Sequence, residues 1–197
     1  MDRQAEIMEM GKLLLEKRYQ DDLVVIQSKM QAEDVVEELL RAFDQIFIMA
    51  GKQQEAGEKE PVAFCNISYL RSSILTKSYD FLIALYDETM YFDPIETLGI
   101  WAPKWIMEFY ENQVSYFRKE VRGKIVRVQD SELLEFERTL AGDYYKIVLG
   151  FLLEHLEEIQ ALESYQKLEK TADFKIQYGE YMDVCIPIYQ EEEEKLV

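Results

Sequence analysis

The stretch VAFCNISYL, residues 62–70, is where the chain changes from helical to extended period. Val62, Phe64, Asn66 and Ser68 alternate with Ala63, Cys65, Ile67 and Tyr69, so the two sets fall on opposite sides of a pleated strand. Upstream the spacing is helical. Ile7, Met10 and Leu14 mark one side of a helix over 2–19, and the apolar residues at 23–26 lie between helical patterns. Val36, Leu39, Leu40, Phe43, Ile46 and Phe47 form the stripe of a second amphipathic helix. Gly51 is its expected stop. GKQQEAGEKE (51–60) holds no large apolar side chain and reads as a flexible loop before Pro61.

Downstream, YDFLIALY (79–86) reads as a second strand. Asp87-Glu88-Thr89 supplies a turn into a short third strand at 90–92, which Asp93-Pro94 ends. Helical spacing returns over 104–122 through Trp105, Phe109, Tyr116 and Phe117. A long helix follows over 131–170, capped by Asp130 or Ser131, with Leu133, Phe136, Leu140, Tyr144 and Ile147 opening its stripe. FKIQYGEY (174–181) and VCIPIY (184–189) are extended again, and Pro187 puts the last strand at a sheet edge. EEEEKLV (191–197) reads as a solvated acidic tail. The sum predicts one helix-dominated α+β domain over 1–197. It has a helical segment at 1–50, the loop, an α+β body at 61–190 with a small antiparallel sheet, and the tail.

Charge narrows the partners. The chain has 39 acidic and 22 basic residues, net −17 in 197. Such a field opposes nucleic acid and anionic membranes, whose recognition rests on Lys and Arg. No apolar run approaches the ~20 residues that span a bilayer, and the N-terminus has no apolar signal core. Two cysteines, Cys65 and Cys185, are too few for a disulfide framework, which points to reduced thiols and a cytoplasmic setting. The charge is uneven: residues 1–60 carry net −6, residues 61–128 net zero and residues 129–197 net −11.

No phosphate loop, nucleophile elbow or zinc-protease signature is present, and the sequence assigns no catalytic residue, cofactor or metal site. His155 is the one histidine. Its spacing to Glu158 puts an imidazole and a carboxylate on one helix face, which is also ordinary helix pairing. Asp87, Glu88, Asp93 and Glu96 crowd one turn, where such residues serve local hydrogen bonding. The basic run at 118–127 suits pairing with the chain's own acids. Thirteen aromatic residues lie between 61 and 117. Among them Trp101 and Trp105, in GIWAPKW, sit at a loop–helix junction that either folds onto the core or offers an interface anchor. With the exposed acids Glu154, Glu157 and Glu158, they are the candidate interaction surface.

These readings favour a non-enzymatic interaction module with a basic partner or one that offers an apolar groove. An inhibitor or immunity-type protein is its sharpest form. The alternative is a small-molecule binder or enzyme with its site among the aromatics of 61–117. Homo-oligomerisation through the N-terminal helices is compatible with both.

Overall fold

A computed structural model describes residues 3–191. In chain order its elements are α1 (Arg3–Lys29), α2 (Glu33–Glu55), β1 (Val62–Tyr69), α3 (Ser73–Thr76), β2 (Phe81–Tyr86), β3 (Thr97–Trp101), α4 (Lys104–Lys124), α5 (Asp130–Glu154), α6 (Leu156–Ala161), α7 (Glu163–Lys167), β4 (Lys170–Glu180) and β5 (Cys185–Gln190). The helix-dominated α+β class holds. The chain divides into two units, one of residues 1–32 and 103–151 and the other of residues 33–102 and 152–197. The 51–60 stretch lies inside the second.

The first unit is helical. α1 runs without a break through the apolar residues at 23–26, burying Ile7, Gly11, Leu15 and Ile26. α4 and α5 meet through Phe117 and Phe136, whose rings stack at 4.2 Å. Gly11 is required here: a methyl group on it would overlap the Phe136 ring. Two polar groups are buried inside this apolar packing, and each finds a partner. Arg118 grips Glu137 with two hydrogen bonds of 2.7 Å, and Gln113 donates to Asp22, which also accepts from the Tyr144 hydroxyl at 3.3 Å. The basic run at 118–127 pairs within the chain. Arg122 binds Asp130, Arg118 binds Glu137 and lies 3.7 Å from Asp130, and Lys124 binds Glu120.

The second unit holds a five-stranded sheet of order β3-β2-β1-β4-β5. The sheet is mixed and not purely antiparallel, because β1 and β4 run parallel. A parallel pair needs a long crossover, and residues 70–169, one hundred in number, separate these two strands. Register gives each face its residues. Gly99, Ile83, Cys65, Ile67 and Ile176 share the inner face, where Ile46 of α2 lies against Gly99. Aromatic rings extend this core through Phe43, Phe47, Tyr165 and Phe174 at centroid spacings of 5.4 to 5.9 Å.

Four expectations are corrected. Met90–Phe92 is a 3-10 turn, because Met90 takes φ 57°, which no strand tolerates; the third strand is Thr97–Trp101. α2 passes Gly51 and continues to Glu55. Its last turn is held from outside, since Gln54 exchanges two hydrogen bonds with the Glu169 backbone at 2.8 and 3.0 Å. Within the segment read as flexible, Lys59 is buried. The long helix of 131–170 breaks twice, at His155 and at Leu162, and β4 already begins at Lys170. The apolar spacing of Leu156, Ile159 and Leu162 continues across the first break, so periodicity alone misses it. Of the predicted tail, residues 192–197 lie outside the described residues.

Candidate interaction surface

The two units differ sharply in charge. Residues 33–102 and 152–197 carry 25 acidic and 9 basic side chains, net −16. Residues 1–32 and 103–151 carry 14 and 13, net −1. The field that sequence segments spread over both chain ends is therefore a property of the sheet-bearing unit.

The sheet has two edges of unequal character. β5 is blunted: it contains Pro187, and its ladder with β4 shifts register between Ile176 and Gln177. Proline and irregular register are the usual protections against stray strand pairing. β3 carries neither. Thr97–Trp101 reads TLGIW, with no charge and no proline. Among the described residues its one ladder partner is β2. In an antiparallel edge strand, alternate backbone N–H and C=O groups point away from the sheet. Beside that edge, Leu98 pairs with Ala84 and Ile100 with Leu82 on the outer face. Leu98 is 42 % exposed and Ile100 67 %. Phe92, in the turn before the strand, is 89 % exposed.

A buried pair anchors this edge. Lys59 Nζ donates to Asp93 Oδ2 at 2.7 Å, to the Leu85 carbonyl at 3.1 Å and to the Ile95 carbonyl at 2.5 Å. Asp93 also accepts the backbone N–H groups of Asp87 and Ile95 at 2.9 and 2.7 Å. All three ammonium protons are used. Burial pushes the Asp93 carboxyl up, but the Lys59 ammonium and the two N–H groups outweigh it and hold the carboxyl below its ordinary value. Asp87 closes the turn by accepting from the Thr89 backbone at 2.7 Å. Of the four turn acids, Asp87 and Asp93 thus shape the β2–β3 connection, while Glu88 and Glu96 stay exposed.

The residues singled out from sequence are scattered. Trp101 is 2 % exposed and packs on Phe81 at 5.7 Å, in the core of the sheet unit. Trp105 falls in the helical unit, half-buried, with its ring 5.2 Å from Phe151. Glu154, Glu157 and Glu158 are exposed near the start of α6. There Glu157 and Glu158 face the positive end of the helix, and Glu158 lies 2.6 Å from His155 Nδ1. The sequence reading missed Leu98, Ile100 and Phe92. The signal was present in TLGIW, where alternation centred on a glycine resembles a short strand, but Asp93-Pro94 suggested an earlier end. No family model matches the chain, and no curated protein or solved structure matches it.

Proposed function

We propose that this protein is a non-enzymatic interaction module whose acidic sheet unit receives a basic partner by strand addition at β3. The edge position of β3, without charge or proline, inside a unit of net −16 carries this reading. Main-chain hydrogen bonds along an open edge supply affinity, and side chains landing beside Leu98 and Ile100 supply apolar contact. Charge selects the occupant. A second copy of the chain would bring two units of like charge together, whereas a basic segment is drawn in and its association accelerated. Inhibition of a basic toxin or nuclease is one form this activity takes.

A heptapeptide of alternating Lys and Val, set against its Glu and Val counterpart, tests the reading by titration calorimetry on the full chain. The basic peptide binds, the acidic one does not, and binding weakens as salt rises. The Leu98→Lys/Ile100→Lys double variant loses it, because lysines on an edge repel a basic strand. The control Leu13→Lys, exposed in the helical unit, keeps it. Equal binding of both peptides, or binding unchanged in the double variant, overturns the proposal.

A further inference from the structure

The outer face of the sheet carries a second feature, independent of the β3 edge. Register places Asn66, at the middle of the central strand, between Ala84 of β2 and Gln177 of β4, with Phe64 beside Tyr86 one step along. Asn66 is 1 % exposed, yet neither its Nδ2 nor its Oδ1 has a hydrogen-bond partner. The Tyr86 hydroxyl and Gln177 Oε1 are also buried without partners. Buried polar atoms are nearly always paired, because an unpaired one forfeits its hydration with no return. Four orphans on neighbouring positions of one face are therefore an unfilled set of donors and acceptors.

Tyr91 closes over them. It comes from the 3-10 turn, its ring 5.4 Å from that of Tyr86 and 6.1 Å from that of Tyr181. Burial raises the Tyr91 phenol while the Met182 backbone and the Asn66 amide oppose that rise, yet neither Asn66 atom completes a hydrogen bond of ordinary geometry. The turn that carries Tyr91 is held at its two ends by Asp87 and Asp93 and by three backbone hydrogen bonds within it, and Met90 takes a left-handed conformation. Burial raises the Tyr86 and Tyr91 phenols, so both stay neutral at physiological pH.

We propose that Asn66, Gln177 and Tyr86 form a binding site for a small, neutral, planar molecule with adjacent N–H and C=O groups, of the kind a free nucleobase presents. Such a molecule takes the place of the Tyr91 ring when the turn swings outward. The Asn66 amide offers a donor and an acceptor side by side, the complement of a lactam edge, just as asparagine presents the same pair to the N6 and N7 atoms of adenine. Gln177 Oε1 adds an acceptor, and the Tyr86 hydroxyl serves as either. The Tyr86 and Tyr181 rings, each T-shaped to Tyr91, give a planar ligand in its place edge-to-face aromatic contact. Lys175 shares this face, but the unit's net −16 opposes a phosphate, so the free base is preferred to its nucleotide.

Calorimetry with uracil, hypoxanthine and uridine monophosphate tests the site. Uracil or hypoxanthine binds saturably, and the monophosphate binds at least about tenfold more weakly. Tyr91→Ala tightens the base at least about threefold, since the displaced ring is gone. Asn66→Leu abolishes binding and melts no lower than the parent, because it removes two orphans at similar volume. Gln177→Leu weakens binding and serves as the second probe should Asn66→Leu fold poorly. If neither base binds the parent chain or Tyr91→Ala, the orphans are served by water alone and the proposal fails. It fails equally if both leucine variants bind as the parent does.

Discussion

Lys59 shows how a single residue is misread from its neighbours. It lies in GKQQEAGEKE, a run whose composition is that of a solvated loop. Folding brings two carbonyls and a carboxylate from residues 85, 93 and 95 around its ammonium, and no local pattern foretells that convergence. The Lys59→Met substitution leaves the Asp93 carboxylate buried without its cation, and the expected loss is about 3 kcal/mol or more in a urea titration. The pair also sets an acid limit. Asp93 is depressed in the folded state, so its contribution is complete above about pH 4, the ordinary Asp value, and fades as the pH falls through the lower folded value. Urea midpoints taken between about pH 5 and pH 2 should therefore fall more steeply in the parent chain than in Lys59→Met/Asp93→Leu, which has no carboxylate to protonate. The two cysteines separate in the same way. Burial pushes the Cys65 thiol up to about 12, whereas Cys185 is half-buried and raised less far, with the Ser68 hydroxyl opposing its burial. Iodoacetamide at neutral pH should label Cys185 first and reach Cys65 only on unfolding, read by peptide mass mapping.

Among elements, the long amphipathic helices were legible because their burial is one-sided and repeats every turn. α2 and α4 follow their stripes closely. β1 was legible from alternation, and β2 and β5 from short apolar runs, each to within two residues at its ends. The misplaced third strand and the unbroken helix at 131–170 share one cause. Apolar spacing records which side of a segment is buried, and a short turn or a break can preserve that spacing while redirecting the backbone. Met90, Leu162 and His155 each do so, and their backbone angles depend on what packs around them. The approach of α1 to α5 is a second such matter. Gly11 reads as an ordinary mid-helix glycine, but in the fold it makes room for the Phe136 ring. Alanine there favours an isolated helix, yet Gly11→Ala should destabilise the protein by about 1 to 3 kcal/mol through overpacking, measurable as a lowered chemical midpoint.

For the whole molecule, chain order and folding unit do not coincide. Each unit takes two separate stretches, and the chain passes between them three times. A fragment of residues 1–102 thus holds an incomplete part of each. It should show no cooperative unfolding transition by circular dichroism, whereas a fragment that kept one sharp transition would show that either part is self-sufficient. This interleaving also explains the charge. By position in the sequence, the acids concentrate at both ends around a neutral middle; by unit, nearly all of the excess belongs to the sheet. The sequence by itself determined the class of the fold, the character of its helices and the overall sign of the field, because these depend on composition and short-range period. Only the tertiary structure decided which strands form the edges of the sheet and where, among the described residues, buried polar atoms lack partners. It also decided that Trp101 is core while Ile100 is surface. Those outcomes depend on which distant segments meet, and strand pairing and side-chain burial are settled by neighbours in space.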